Sequence, residues 1–402
     1  MTTVSAGGKF SIDKWTIVVP DDFSTIQEAV DNASWGGTVF VRNGTYPEMV
    51  TVNKSLSLIG EDRENTIISA PLINDSLACA AVEVQAEGVT ISGFTLKNAQ
   101  VGIKIDEERY KMPPYSRCKI IDNLITENAQ FGIFVESGEN HLVSGNTIAC
   151  NGEAGIYWRS SNSMISENNI TGNGGPGVII ILCGLVIINY NNISLNDEGL
   201  KFQRGGWLHV YGNNINDNQH YGVEFGEGCY GSLVTVNNIE RNGIGISLLN
   251  IGLVEPTAIG SENTVCINNI VNNSQQVFVD HEWDLADLFP ERSNGTDIVS
   301  WNSSARGNYW SDYLTKYPST SEIGDSNVGT TNYVIDKNNT DYFPLIRPAK
   351  IPSAPHLISF DSPLKYVAFI VAVAPVLFVV FFGYRTREKR TRLQRAQSTV
   401  QK

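Results

Sequence analysis

A three-residue motif, Asn, any residue, Ile, occurs seven times between Asn123 and Ile270. Successive isoleucines of the motif are 23, 22, 23, 22, 24 and 31 residues apart. The asparagines of the motif are Asn123, Asn146, Asn168, Asn191, Asn213, Asn237 and Asn268. A period of this length indicates a stacked repeat, in which each repeat packs only against its neighbours.

A second pattern follows each motif by about eight residues: a glycine with large apolar side chains one and three positions later, such as Ile133 and Val135 after Gly132. Alternating β-branched and aromatic residues predict short strands whose large side chains face one core. A leucine-rich repeat has a similar period, but its leucine frame and helical segment are missing. The sequence therefore predicts an all-β parallel β-helix, with the recurrent asparagines stacked as an amide ladder at the turns.

An amphipathic helix is predicted near the N-terminus, at about residues 25–32. Ser24 and Gln27 have the spacing of a capping box, and apolar residues recur at helical spacing. Because the open end of a β-helix exposes unpaired backbone groups, we expect this helix to cap the first coil. Residues 16–60 are assigned to this cap and the first strands, and residues 1–15 to no defined structure.

The sequence around this helix resembles the opening of NosD-like proteins and of pectin methylesterases. The shared pattern comprises Thr25-Ile-Gln-Glu-Ala-Val30, Gly44-Thr-Tyr-Pro-Glu48 and residues 50–60. Gly307-Asn-Tyr-Trp-Ser-Asp-Tyr313 resembles the closing segment of archaeal NosD-like β-helix proteins. The resemblance implies a right-handed, pectin-lyase-like solenoid with repeats of the carbohydrate-binding or sugar-hydrolase type, as in archaeal surface proteins.

The coils are expected over residues 61–306, with insertions near 106–117, 250–265 and 280–306. Insertions in a solenoid form loops on one face, which is often the binding face. Residues 307–350 are expected to close the second end of the core with their aromatic side chains.

A single transmembrane helix is predicted at residues 364–384. Its 19 residues from Tyr366 to Tyr384 contain no charged side chain, and as a helix they span about 28 Å, enough to cross the hydrocarbon core. A linker, 351–363, precedes it, and a basic tail, 385–402, follows. The positive-inside rule places the tail in the cytoplasm and the β-helix outside the cell. No signal peptide precedes Trp15, so we expect the natural N-terminus to lie further upstream.

The charge excludes one class of partner, because a chain with a net charge of −13 repels the phosphates of nucleic acids. Ten Asn-x-Ser/Thr sequons fit an extracellular glycoprotein, although a repeat rich in Asn, Ser and Thr also produces sequons by chance. They begin at Asn32, Asn43, Asn53, Asn74, Asn169, Asn192, Asn272, Asn294, Asn302 and Asn338.

The family resemblance suggests copper or calcium as cofactors and a copper-processing accessory role as one alternative function. Copper sites use clusters of His, Met or Cys, whereas the five histidines share no register and methionine is scarce. The sequence itself therefore assigns no metal site. Six widely spaced cysteines either pair outside the cell or remain buried thiols. They are Cys79, Cys118, Cys150, Cys183, Cys229 and Cys266.

An extracellular polysaccharide lyase or glycoside hydrolase is the other alternative. A hydrolase needs two carboxylates that face a cleft. Glu136 and Arg159 occupy equivalent positions on neighbouring coils, as do Arg204 and Glu227, and both pairs are interpreted as surface ion pairs. Catalytic residues are left unassigned, and a protein that is not an enzyme is favoured.

The candidate ligand site is the row of residues two positions after each glycine, which the strand alternation directs outward. Its aromatic and apolar members on three consecutive coils predict an exposed stripe about 10 Å long, suited to stacking against sugar rings unless the 106–117 insertion covers it. The row consists of Lys104, Phe134, Tyr157, Ile179, Lys201 and Glu224. The sequence thus predicts a membrane-anchored surface module for carbohydrate binding, structure or adhesion, with glycans or cell-envelope components as partners.

Overall fold

The computed structural model describes residues 15–71, 79–105, 116–249, 263–280 and 299–354. In this part of the chain, three parallel sheets of twelve, eleven and ten strands run along one solenoid. From β2 to β31 each coil contributes one strand to each sheet in that order, and each strand pairs in parallel with the equivalent strand of the next coil. Strands are numbered along the chain.

The twelve-stranded sheet contains β1 (Thr16–Val19), β2 (Thr38–Val41), β5 (Ser57–Gly60), β8 (Thr90–Ser92), β11 (Lys119–Ile121), β14 (Leu142–Ser144), β17 (Met164–Ser166), β20 (Ile187–Asn189), β23 (His209–Tyr211), β26 (Leu233–Thr235), β29 (Asn263–Cys266) and β32 (Val299–Ser300). The eleven-stranded sheet contains β3 (Gly44–Tyr46), β6 (Thr66–Ser69), β9 (Thr95–Lys97), β12 (Leu124–Thr126), β15 (Thr147–Ala149), β18 (Asn169–Thr171), β21 (Asn192–Ser194), β24 (Asn214–Asn216), β27 (Asn238–Glu240), β30 (Asn269–Val271) and β33 (Tyr309–Trp310).

The ten-stranded sheet contains β4 (Val50–Val52), β7 (Ala80–Val84), β10 (Val101–Ile105), β13 (Phe131–Val135), β16 (Ile156–Trp158), β19 (Pro176–Ile181), β22 (Glu198–Gln203), β25 (Tyr221–Phe225), β28 (Ile244–Leu248) and β31 (Gln275–Val279). Two further strands, β34 (Tyr333–Val334) and β35 (Thr340–Asp341), form a short antiparallel pair. Among the described residues the helices are α1 (Ile26–Asn32) and α2 (Tyr313–Lys316).

The core follows the predicted alternation. The isoleucines of the Asn-x-Ile motif align from coil to coil, as Ile125, Ile148 and Ile170 do, and these side chains are fully buried. The predicted inward residues of the glycine pattern, such as Ile133 and Val135, are also fully buried. The interior is therefore one continuous apolar column, as the period predicts.

Helix α1 lies at the predicted position with its predicted apolar side buried, and it packs against β1, β2 and β4. The predicted N-cap, Ser24, is wrong. The side chain of Thr25 accepts the hydrogen bond from the Glu28 backbone N–H instead, whereas Gln27 bonds to Thr51. Whether α1 protects the first coil from other chains stays a prediction.

An amide ladder runs inside the corner between the twelve- and eleven-stranded sheets. Each asparagine Nδ2 donates to the Oδ1 of the next asparagine over 2.9–3.1 Å, and the same Oδ1 also accepts a backbone N–H. The ladder asparagines, all buried, are the seven of the motif and Asn308. Since each amide bonds both to its neighbours and to backbone carbonyls, the ladder satisfies the polar groups that the corner exposes.

A second ladder occupies the corner between the eleven- and ten-stranded sheets, and the sequence analysis missed it. Its amide-to-amide hydrogen bonds measure 2.8–3.2 Å. The members are Asn128, Asn151, Asn173, Asn196, Asn218, Asn242 and Asn273. Each lies five residues after an asparagine of the first ladder, a spacing that would have identified it.

A left-handed backbone residue precedes the seven motif asparagines of the first ladder and every asparagine of the second, and it turns the chain at each corner. Glycine occupies some of these positions, but others carry side chains for which a positive φ is unfavourable, such as Val236 with φ 57°. The hydrogen bonds of the following asparagine hold this conformation in place.

The segment after β32 packs aromatic side chains at the second end of the core. Trp301, Trp310 and Tyr333 are buried, and the Trp310 and Tyr333 rings stack with centroids 4.3 Å apart. The buried Asp341 carboxylate accepts hydrogen bonds from Asn308 N at 2.7 Å and Trp310 Nε1 at 2.9 Å. Burial raises the pKa of Asp341 to about 6 although these hydrogen bonds oppose the shift. The seven-residue motif that begins at Gly307 is thus a structural closure.

No helix among the described residues is long and apolar enough to cross a membrane. The predicted transmembrane helix, 364–384, and the basic tail lie outside the described residues.

Candidate functional site

The six residues of the predicted ligand row lie in register on the outward face of the ten-stranded sheet. Their Cα atoms pair in sequence from Lys104 through Phe134, Tyr157, Ile179 and Lys201 to Glu224. At the usual strand spacing these six coils extend over about 24 Å. We call this set the outer row. The register continues to Ser247 beyond Glu224.

Aromatic side chains occupy the N-terminal half of the outer row. Phe134 and Tyr157 stack with ring centroids 4.6 Å apart and an interplanar angle of 14°. Phe131, from the neighbouring outward position, lies 5.3 Å from Phe134 and 5.5 Å from Tyr157. With Ala80 and Val101 these rings form a second apolar cluster outside the main core.

The predicted exposure of this stripe is wrong for Phe134, of which only 5% is accessible. Its ring faces are taken up by the two neighbouring rings, a contact between coils that strand alternation alone does not show. Tyr157 and Ile179 are half-buried. The part of the stripe open to a ligand is therefore centred on Tyr157, and the Phe134 ring stacks against it from the neighbouring coil.

Ion pairs lie just after the strands of the ten-stranded sheet. Arg159 Nη1 lies 2.7 Å from Glu136 Oε2 on the next coil, and Arg204 pairs with Glu227 at 2.8 Å. Both pairs were predicted as surface ion pairs, which the structure confirms. Burial and the nearby Glu136 carboxylate raise the pKa of Tyr157, so its hydroxyl stays protonated and can donate a hydrogen bond.

The C-terminal half of the outer row is charged. Lys201 Nζ lies 3.0 Å from Glu198 Oε2 and 3.3 Å from Glu224 Oε2, so one ammonium group serves two carboxylates. Glu224 is only 2% exposed, and its pKa is raised by desolvation and by repulsion from Glu198, with Lys201 acting in the opposite direction. Desolvation lowers the pKa of Lys201, but the two carboxylates outweigh it and the net shift is upward.

The sequence pattern did not identify two residues at this end of the outer row, Glu198 and Ser247. Glu198 begins β22 just before the glycine of its repeat, so it was not counted among the outward positions. Ser247 occupies the position equivalent to Glu224 on the following coil. It is fully buried, and its Oγ has no hydrogen-bond partner. A buried, unpartnered hydroxyl beside a buried carboxylate is uncommon and calls for a functional explanation.

The three predicted insertions all connect the ten-stranded sheet to the twelve-stranded sheet, after β10, β28 and β31. Residues 106–115, 250–262 and 281–298 lie outside the described residues.

No group of three or more His, Cys, Asp or Glu side chains that could hold a metal ion occurs within the described ranges. All six cysteines fall within these ranges and are free thiols, and all but Cys150 are buried. Burial raises the pKa of Cys118 and Cys229 to about 11, which keeps these thiols protonated and unreactive.

Two family models match the chain. "Right handed beta helix region" matches residues 80–239, and "Periplasmic copper-binding protein (NosD)" matches residues 206–315. Together the two matches support a right-handed parallel β-helix over the matched residues. The first match covers the outer row from Lys104 to Glu224, and the second includes Glu224 and Ser247.

A curated relative of this β-helix protein is a cell surface glycoprotein of Methanothermus fervidus (strain ATCC 43054 / DSM 2088 / JCM 10308 / V24 S). The two are 28% identical, and the alignment covers 72% of this chain and 51% of the relative. The β-helix protein thus spans about half the length of that relative.

Among solved structures, pectate lyase Pel9A is 15% identical, with a TM-score of 0.51 over 64% of this chain and 73% of the lyase. An alginate lyase from Paenibacillus sp. str. FPU-7 is 13% identical, with a TM-score of 0.47 over 66% of this chain and 98% of that one. At these identities the likeness to the pectate lyase shows the fold of the β-helix protein and leaves its activity open.

Proposed function

We propose that this chain is a cell-surface β-helix module that binds glycans on the outward face of its ten-stranded sheet. The observation that carries the proposal is the continuous outer row, in which an aromatic cluster adjoins a desolvated group of charges. Aromatic rings pack against the apolar faces of sugars, while carboxylates and hydroxyls bond to sugar hydroxyl groups. Tyr157 serves as the platform, and Lys201, Glu198 and Glu224 supply the polar contacts.

The surface location in this proposal has three supports. The curated relative is named a cell surface glycoprotein. Sequon asparagines such as Asn43, Asn53 and Asn272 are exposed, whereas the strands of the ten-stranded sheet carry no sequon asparagine. The uncharged residues 366–384 with the basic tail would anchor the module in the membrane.

The test is a glycan array probed with the full-length chain and with Tyr157→Ala. We expect the variant to retain the fold and to lose at least tenfold in affinity for the glycans that the wild type binds. Tyr211→Ala is the matched control, since Tyr211 is a half-buried tyrosine of β23 on a different sheet. Equal binding by wild type and Tyr157→Ala would remove the basis of the proposal.

An extracellular polysaccharide lyase or hydrolase is the second candidate, favoured by the convergence of Lys201 with two carboxylates. Glu224, with its raised pKa, is a candidate proton donor in such a reaction. New reducing ends released from a bound polysaccharide by the wild type, and absent with Glu224→Gln, would establish this function. Binding without release of reducing ends would leave the module function alone.

A further inference from the structure

The cations on the outward face of the ten-stranded sheet are already neutralised. Among the described residues, the strands of this sheet contain two lysines and no arginine. Lys104 Nζ lies 3.5 Å from Glu83 Oε1, and Lys201 lies between Glu198 and Glu224. Three carboxylates therefore face two ammonium groups, and the excess negative charge is at the Lys201 end.

The flanking charges do not alter this balance. Arg159 and Arg204, which follow β16 and β22, each pair with a glutamate of the neighbouring coil. No described cation on this face is left to meet an anionic ligand.

The charged end of the outer row is rich in hydrogen-bond acceptors. Ionised Glu198 and Glu224 accept hydrogen bonds only, and the unpartnered Ser247 Oγ can accept or donate one. The groups that match them are the hydroxyls of an uncharged sugar or the ammonium group of an amino sugar. A carboxylate or sulfate on the ligand would instead add like charge beside a desolvated glutamate.

We infer that Glu198, Lys201, Glu224 and Ser247 form a subsite for a glycan without acidic groups, and that this subsite rejects polyuronates. The inference rests on the proposed glycan-binding function and specifies its ligand class. Tyr157 lies two coils from Lys201, about 10 Å along the solenoid, so one oligosaccharide can contact both the ring and the charges.

The test uses the full-length chain on an array of oligosaccharides of equal length in three classes: uncharged, amino and uronic. We expect the bound members to be uncharged or amino sugars, with uronic members at least tenfold weaker at low salt. Glu224→Gln removes the excess charge and should reduce this discrimination at least threefold. The matched control is Glu227→Gln in the exposed pair with Arg204, and it should leave the discrimination unchanged.

Ser247→Ala separates binding from stability. Because the hydroxyl has no partner in the folded protein, its removal should leave the melting temperature unchanged or slightly raised, while affinity for the bound glycans falls about threefold. A uronic oligosaccharide as the best ligand, or unchanged discrimination in Glu224→Gln, would overturn the inference and leave the glycan-binding function standing. Failure of all three classes to bind would overturn both.

Discussion

Two outward rows of the same solenoid follow the same register and differ in every other respect. On the eleven-stranded sheet the row is Asn169, Asn192, Asn214, Asn238 and Asn269. Neighbouring amides there bond to each other, at 2.8 Å between Asn192 and Asn169 and at 2.9 Å between Asn238 and Asn214. The outer row of the ten-stranded sheet repeats no residue type at adjacent positions between Phe134 and Glu224.

The difference shows how one backbone serves two purposes. Equal spacing allows identical amides to satisfy each other, so such a row is complete without a ligand. The outer row lacks this repetition, and beside its ion pairs and stacked rings it retains a half-exposed tyrosine and an unpartnered hydroxyl. Where the period of a solenoid is kept, the residues are structural; where it is broken on an outward face, a site is expected.

The largest loss of stability is expected from Asn191→Ala, a substitution inside the first ladder. The substitution leaves the buried Asn168 N and the Ile165 carbonyl without these bonds, and it removes one of the three acceptors of Asn168 Nδ2. At 1–3 kcal/mol for each unsatisfied group, the loss should reach about 4 kcal/mol in urea unfolding. A loss below about 1 kcal/mol would mean that repetition of asparagine does not stabilise the corner.

The second-largest loss of stability is expected from Lys201→Met, which leaves Glu198 and Glu224 without their cation. Breaking a buried charge cluster should lower the free energy of unfolding by about 3 kcal/mol at pH 7. Arg204→Met in the exposed pair with Glu227 is the control and should lower it by less than about 1 kcal/mol. Similar losses in both variants would contradict the view that the charged cluster is desolvated.

The pH dependence of the stability loss should distinguish the charged cluster around Lys201 from the first amide ladder. In Lys201→Met the pKa of Glu224, already raised in the wild type, should rise further. At pH values between the unfolded-state and folded-state pKa of Glu224, the native state binds a proton that the unfolded state has released. The free energy of unfolding of the variant therefore falls as the pH rises through this window. Above the window the variant shows its full loss of stability. Urea unfolding from pH 4 to 7 should show the loss shrinking toward pH 4. For Asn191→Ala, which involves no titratable group, the loss should stay constant.

A smaller effect, here a gain in stability, is expected from a substitution at the corner residue Val236. Glycine adopts its φ of 57° freely, so Val236→Gly should raise the unfolding free energy by about 0.5 kcal/mol after the entropy of glycine is counted. The reciprocal change is Gly212→Val, at the equivalent position with φ 70°. It should destabilise the protein, since a Cβ there would also press on the Tyr190 ring. In thermal melts we expect the melting temperature to rise for Val236→Gly and to fall for Gly212→Val.

The smallest effect is expected at Asn192→Ala, in the exposed amide row. Water replaces the lost hydrogen bond to Asn169, so the change in unfolding free energy should be about 0.5 kcal/mol or less. A loss as large as that of Asn191→Ala, one residue away, would show that exposed and buried amide rows contribute alike.

Much of the fold follows from the sequence because the period is local and repeated. Asn-x-Ile and the glycine pattern predict the coils, the buried isoleucines and the order of the outer row, since each needs only the alternation of side chains along a strand. The second ladder was within reach by the same reasoning, at five residues after each first asparagine. Helix α1 was predicted to within a residue, but Thr25 rather than Ser24 caps it.

Tertiary structure alone decided what the outward residues do. The alternation places Phe134 outside the core, but its burial depends on the rings of Phe131 and Tyr157, one of them from the next coil. Likewise, Lys201 meets Glu198 within its own strand and Glu224 on the neighbouring coil, and that joint geometry sets the charge of the site. Strand direction is a property of the local chain, whereas burial, ion pairing and an unpartnered hydroxyl depend on which coils stack side by side.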